Sequence, residues 1–231
     1  MTVDKVILLP GMDGTGVFLS SLQKHLVEKV TTEIISYPTS QFLSYKQLVE
    51  YVIKKLPREE KYLLVAESFS GPIAKELVFH NLTGLQGIVF LASFICCPRN
   101  LLKIIQYLPL QTLFQLPIPD EVSKLMLLGK EANDESMDEF RQVLRLVSPS
   151  ILAQRLRAIA KQKCNVIVGN SNCPCWYFQA FNDKLILTSA IEPIKLVFPK
   201  VEVVVIDGPH FIAQAQPKKC AQWIIKCINR S

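Results

Sequence analysis

An open, mostly parallel α/β sheet of about six strands, with helices on both faces, is the architecture this sequence predicts. Three observations predict it. Short apolar runs recur as unbroken stretches, the pattern of strands buried on both faces. Between most of them lie apolar residues at helical spacing, and such alternation is the order of a parallel sheet wrapped by its own crossovers. Several strands run into loops carrying Gly, Ser, Asp or His, which gathers polar side chains at the sheet edge where open α/β sheets place ligands. With 231 residues, 49% of them hydrophobic, the chain is expected to form a single domain over residues 1–231, with a small elaboration.

Val6-Ile7-Leu8-Leu9 reads as a buried first strand entering a glycine-rich loop, Pro10-Gly11-Met12-Asp13-Gly14-Thr15-Gly16. This is not a Walker phosphate cradle, because Val17-Phe18 stands where Lys-Ser/Thr is required. It is not a dinucleotide fingerprint either: its glycines run G-x-x-G-x-G, and the next strand ends at Tyr37-Pro38 without an acid to hold a ribose. Val17, Phe18, Leu22, Leu26 and Val30 space a helix. Glu33-Ile34-Ile35-Ser36-Tyr37 is a second strand stopped by Pro38, and Tyr45, Leu48, Val52 and Leu56 space a second helix closed by Pro57. Tyr62-Leu63-Leu64-Val65 is the third strand. It meets small residues around Ser68, and a helix pattern follows through Pro72, Ile73, Ala74, Leu77 and Val78. A serine at so tight a turn lifts its hydroxyl clear of the sheet, provided the positions two before and two after are small, as Ala66 and Ser70 are. A strand-to-helix turn with a capping serine is the plainer alternative.

A fourth strand spans residues 85–91, and then the alternation stops. Residues 97–169 carry no clear strand; Leu101, Leu102, Ile104, Ile105, Leu108, Leu110, Leu113, Phe114 and Leu116 crowd a proline-punctuated stretch, and helical patterns follow near 137–147 and 149–161. The segment reads as a helical cap inserted over the carboxyl edge of the sheet, before the acid-bearing strand, or else as ordinary packing helices. Either way it keeps an apolar surface suited to substrate contacts. Cys175-Trp176-Tyr177-Phe178-Gln179-Ala180 is a strand running into Phe181-Asn182-Asp183-Lys184. The last strand, residues 201–206, is followed by Asp207-Gly208-Pro209-His210-Phe211, and a helix entered by Pro217 closes the chain.

Seven cysteines, without an intact C-x-x-C pair or a regular framework, fit free thiols; Cys173, Cys175, Cys220 and Cys227 read as core residues rather than metal ligands. The net charge of +6 is spread along the chain and does not suggest nucleic acid. The start, Met1-Thr2-Val3-Asp4-Lys5, lacks the features of a signal peptide, and no apolar run nears the roughly 20 residues of a membrane helix. A soluble, cytoplasmic protein is expected.

A serine hydroxyl attacks a carbonyl only when a base takes its proton and a third group fixes that base's tautomer. Three histidines are available. His25 and His80 fall on helices and read as surface residues; His210 alone follows a strand at the polar edge. Asp183 lies just past a strand end. Asp207 is nearer to His210 in sequence but opens the loop that delivers it, so Asp183 is preferred.

The motifs L-P-G-M-D-G-T-G, A-E-S-F-S-G-P and D-G-P-H-F, with the order Ser68, Asp183, His210, resemble the α/β-hydrolase family, in particular small bacterial-type serine hydrolases, over nearly the whole chain. The resemblance implies an α/β-hydrolase fold in which Ser68 is the nucleophile, His210 the base and Asp183 its orienting acid. It further implies that the backbone N–H groups of Met12 and Phe69 form the oxyanion hole. The implied activity is cleavage of a small-molecule carboxylic ester or thioester through an acyl-enzyme, with no metal or organic cofactor. The same chemistry permits an acyltransferase, and a catalytically silent binder of a lipophilic molecule is a further alternative. The sequence departs from the usual G-x-S-x-G in Ala66 and Ser70, and it sets Glu67 beside the nucleophile, where a salt-bridged structural role is expected.

Overall fold

A computed structural model describes residues 3–99, 104, 107–116, 119–129, 132–164 and 171–230. Six strands form one sheet: β1 (Lys5–Leu9), β2 (Thr31–Ile34), β3 (Tyr62–Glu67), β4 (Leu85–Leu91), β5 (Cys175–Ala180) and β6 (Glu202–Ile206). Their order is β2-β1-β3-β4-β5-β6 and every adjacent pair is parallel. Direction of winding reverses between β1 and β3, the kind of switch point at whose carboxyl edge open α/β sheets place their ligands.

Alternating side chains of each strand serve opposite layers. Tyr62, Leu64 and Ala66 of β3 join Ile7, Leu9, Ile88, Phe90 and Tyr177 under α2 (Tyr45–Ile53), α3 (Gly71–Val78) and a helix at Ile191–Val197. Leu63 and Val65 join Val6, Leu8, Val89, Leu91 and Phe178 under α1 (Ser20–Leu26) and the final helix, Pro217–Ile228. Local signals set the helix starts. Ser44 accepts from the Gln47 N–H in a capping box at α2, and Pro72 and Pro217 sit in first turns, where a missing N–H costs no intrahelical bond.

The second strand differs from expectation. It covers Thr31–Ile34; the Ile35 N–H makes one last bond to the Leu8 carbonyl (3.0 Å), and the Tyr37 N–H turns instead to the Gly14 carbonyl in the loop after β1 (2.7 Å). Both side chains pack in the core cluster beneath α2 and α3. A run of apolar residues reports burial, and here burial continues after strand pairing has ended.

Between β4 and β5, helices lie at Leu110–Leu113, Asp120–Ser123, α4 (Asp134–Leu146) and α5 (Pro149–Ala160), in the segment read from sequence as an insertion. Asn133 and Ser148 cap the last two, accepting from the N–H groups of Ser136 and Ile151. Met137, Phe140 and Val143 of α4 pack with Phe18 and Phe211, while Ile151 and Leu152 of α5 pack with Met12 and Phe42. Both helices therefore rest on loops at the carboxyl edge. Leu101, Leu102 and Ile105, and residues 165–170 at the end of the insertion, lie outside the described residues. Ile104, Leu108, Leu113 and Leu116 are exposed, whereas Leu110 is buried.

The expectation of free thiols is corrected at one pair. Cys96 and Cys164 form a disulfide, with 4.8 Å between Cα atoms, closing the neck of the insertion beside a hydrogen bond from the Cys97 N–H to the Gln162 carbonyl (3.1 Å). A separation of 68 residues gives no spacing signal. Such bonds are rare in a reducing cytoplasm, so this one and the expected cytoplasmic location pull in opposite directions. Cys175, Cys220 and Cys227 are buried as read, and Cys173 is partly so. No helix among the described residues is long and apolar enough to cross a membrane.

Candidate active site

Ser68 occupies the turn between β3 and α3 with φ at 43°, a left-handed conformation uncommon for a residue with a Cβ. Such strain persists only where surroundings over-determine it. Here they do. The Gly71 N–H closes a 3-10 turn on the Ser68 carbonyl, which also accepts from the Ser93 hydroxyl at 2.7 Å. Ser93 is in turn held by Tyr177, whose hydroxyl donates to its carbonyl at 3.0 Å.

Ser70 fills the place of the usual second glycine and uses its extra atoms. Its hydroxyl donates to the Pro10 carbonyl and pairs with the Tyr37 hydroxyl. One proton cannot serve two bonds, so Tyr37 is the donor to Ser70. Burial, the largest influence on this phenol, holds it well above its ordinary pKa and keeps that proton in place. The elbow is thereby tied to the loop after β1, whose strand pairs Leu9 with Ala66.

His210 and Asp183 arrive on the loops after β6 and β5. Backbone bonds from Phe181 to Ile206 and from Asn182 to Gly208, each 2.9 Å, hold these loops side by side. The Ser68 hydroxyl lies 3.0 Å from His210 Nε2, and His210 Nδ1 lies 2.7 Å from Asp183 Oδ2. The imidazole and carboxylate are only 4% and 5% exposed. Asp183 Oδ1 accepts from the N–H groups of Leu185 and Ile186, both at 2.8 Å, which leaves Oδ2 for the imidazole. A carboxylate has no proton to give, so Nδ1–H is the donor and Nε2 turns its lone pair to the serine. The three predicted side chains thus meet in series. Asp207 is instead engaged by Asn182, whose Nδ2 donates to it at 2.8 Å, and His25 and His80 are exposed.

Met12 and Phe69 lie on the two loops that flank this chain of bonds, Met12 after β1 and Phe69 next to Ser68. Two bonds clamp the β1 loop to the elbow: that from Ser70 to Pro10, and the Gly11 N–H donating to Glu67 Oε2 at 3.0 Å. From above, Arg155 of α5 donates to the carbonyls of Met12 (2.9 Å), Asp13 and Pro38 (2.8 Å). Sequence reasoning passed over Arg155. The signal was present, since Ile151, Arg155 and Ile159 repeat at four-residue intervals and set an arginine in an apolar stripe.

Glu67 is not salt-bridged, contrary to expectation. No cation pairs with it among the described residues, and the charge acting on it is that of Asp13, of the same sign. Burial first, then Asp13, pushes its carboxyl up to about 8, against the opposing pull of the Gly11 bond. The ordinary value is 4.5, so folding takes up a proton between pH 4.5 and about 8, and this group's contribution to stability falls as pH rises through that window. Glu67→Gln keeps an acceptor for Gly11 but cannot ionise. Its stability relative to wild type is expected to grow by roughly 2–4 kcal/mol between pH 5 and pH 8.5 in urea unfolding. Parallel pH profiles for the two proteins would refute this.

Among the described residues no three His, Cys, Asp or Glu side chains gather as a metal site would require. A cleft of about 620 Å³ opens beside the Ser68 constellation rather than at it. It is lined by Asn182, Lys184, Asp207 and Pro209, residues that flank Asp183 and His210.

No family model matches the chain, and no curated protein matches it in sequence. Its fold is shared with solved structures. The esterase of Exiguobacterium antarcticum superposes with a TM-score of 0.79 at 10% identity, over 99% of this chain and 93% of that one. A lipase-esterase related protein from Clostridium acetobutylicum gives 0.76 at 16% identity, covering 98% and 97%. An α/β-hydrolase enzyme from a deep-sea metagenome library of the Medee basin gives 0.75 at 13% identity, covering 99% and 90%. The chain has the α/β-hydrolase fold.

Proposed function

We propose that the protein is a serine hydrolase that cleaves a carboxylic ester or thioester through an acyl-enzyme. The observation that carries this reading is the series Ser68, His210, Asp183, hydrogen-bonded at the carboxyl edge of the sheet. The esterases and hydrolases sharing this fold support the general class of activity.

In the proposed reaction, Ser68 Oγ attacks the substrate carbonyl while His210 Nε2 takes its proton. The resulting imidazolium faces Asp183, whose second oxygen is anchored by two backbone N–H groups and so cannot turn away. The carbonyl oxygen becomes an anion cradled by the N–H groups of Met12 and Phe69. His210 then returns the proton to the leaving alkoxide or thiolate, the C–O or C–S bond breaks, and an ester to Ser68 remains. Water, deprotonated by the same imidazole, attacks this ester and releases the carboxylic acid with Ser68 restored. In this reading the segment 97–169 serves as a cap over the edge, and among its described residues the exposed side chains of Ile104, Leu108, Leu113 and Leu116 suit an acyl substrate.

Rapid mixing with an activated ester or thioester tests the reading. The expected result is a burst of leaving group close to one per protein chain, with an acyl adduct on the Ser68 peptide that decays to free acid. Turnover without any such adduct would count against an acyl-enzyme. If added alcohols divert the acyl group into new esters faster than water takes it, acyl transfer is the principal activity.

A further inference from the structure

Arg155 is the largest fully buried side chain among the described residues, 1% exposed, and the mechanism above gives it no part. A buried cation is costly and is ordinarily met by a carboxylate. The anion acting on it is Asp13, but the Asp13 carboxylate bonds instead to the N–H and hydroxyl of Thr15. Its Nη1 and Nη2 donate to three main-chain carbonyls, two of them in the loop that carries Met12, while Nε is buried without a partner among the described residues.

The loop is shaped to receive it. Gly14 has φ at 72°, and a Cβ there would lie 2.5 Å from Arg155 Nη1, so any side chain at this position would expel the guanidinium. The face of Tyr37 lies 6.0 Å from it, within the range of a cation–π contact. Below, Glu67 holds the Gly11 N–H and Ser70 holds the Pro10 carbonyl. The peptide linking Gly11 to Met12 is therefore fixed on one side by the elbow and on the other by Arg155.

We propose that Arg155 is a positioning residue: by holding the Met12 and Asp13 carbonyls it aims the Met12 N–H at the developing oxyanion and couples the anion cradle to helix α5 of the insertion. This rests on the hydrolase reading. Such a residue acts on the tetrahedral state and not on ground-state binding, so its loss falls on kcat. A planar fork reaching three carbonyls has no equivalent in an ammonium group, so lysine is a poor replacement.

The test uses the full chain. Wild type is first labelled with a fluorophosphonate, to establish that Ser68 is nucleophilic. Arg155→Met is expected to lower kcat on a short ester by about 10- to 100-fold with KM nearly unchanged, and to weaken an alkylboronic acid by a similar factor. Arg155→Lys should show the same split; should the methionine variant fail to fold, the lysine variant carries the test. Methylguanidinium, but not methylammonium, should restore part of the activity of Arg155→Ala. Labelled wild type together with a folded variant at wild-type kcat, or with its loss confined to KM, would overturn the positioning role alone. An unlabelled wild type would remove the hydrolase reading, and this inference with it.

Discussion

Ser68→Ala is expected to cut kcat on a short activated ester by about 10⁴-fold or more, and His210→Ala by a similar factor. The two groups act as one unit. The hydroxyl is inert at neutral pH without a base to take its proton, and the imidazole at 3.0 Å has no other nucleophile to activate. The double variant should therefore be scarcely worse than either single one. KM should change little, because neither group is needed to hold the ground-state ester. Both variants should fold, since each substitution trims a side chain without adding atoms. Steady-state kinetics on purified proteins, with melting curves to verify folding, make the measurement; alanine variants with kcat near that of wild type would end the assignment.

Gly71→Ala is expected to be among the most damaging substitutions for the fold itself. Gly71 has φ at −58°, an ordinary helical value that any residue adopts, so glycine is required here by space alone. A Cβ would stand 2.0 Å from the Phe94 carbonyl oxygen and 2.4 Å from the Ser93 hydroxyl. The first obstacle is main chain and cannot swing aside. The second is the hydroxyl that holds the Ser68 carbonyl. Relief requires the turn after β4 to move away from the elbow, which breaks that bond and disturbs the left-handed serine. A loss of about 3 kcal/mol or more in urea unfolding is expected, together with a kcat reduced well beyond what stability alone explains. The neighbouring Ser70→Gly should be far milder, since it removes two hydrogen bonds but adds no clash. A Gly71→Ala protein with wild-type stability would show that the turn can yield.

How much of this was legible in the sequence varied with the physics behind each feature. Residues 85–91 and 175–180 were read with the same bounds that β4 and β5 have, because a parallel strand buried on both faces is written as a largely apolar run, interrupted here by Gln86 and Gln179, which are only partly buried. The helix at Ile191–Val197 went unread. Pro193 suggests a break, but it lies in the first turn, where its missing N–H costs nothing. The meeting of Ser68, Asp183 and His210 was expected from two things together: loops leaving parallel strands share an edge, and the motifs and their chain order resemble those of α/β-hydrolases. What lay beyond reach were pairings set by packing alone. The partner of Cys96 lies across the whole insertion, and Arg155 looks like a surface charge until its apolar neighbours are counted on a helix. Glu67 misled for a related reason: a carboxylate beside a nucleophile suggests a cation, whereas burial made an uncharged acid the cheaper solution.

The most direct test of the central claim is site mapping after brief exposure to a fluorophosphonate, comparing wild type with His210→Ala. The account predicts one adduct per wild-type chain, on the peptide containing Ser68, and labelling slowed by several orders of magnitude in the variant. Folded wild-type protein that takes up no label, or carries it on another residue, or a His210→Ala protein that reacts as fast as wild type, would contradict it.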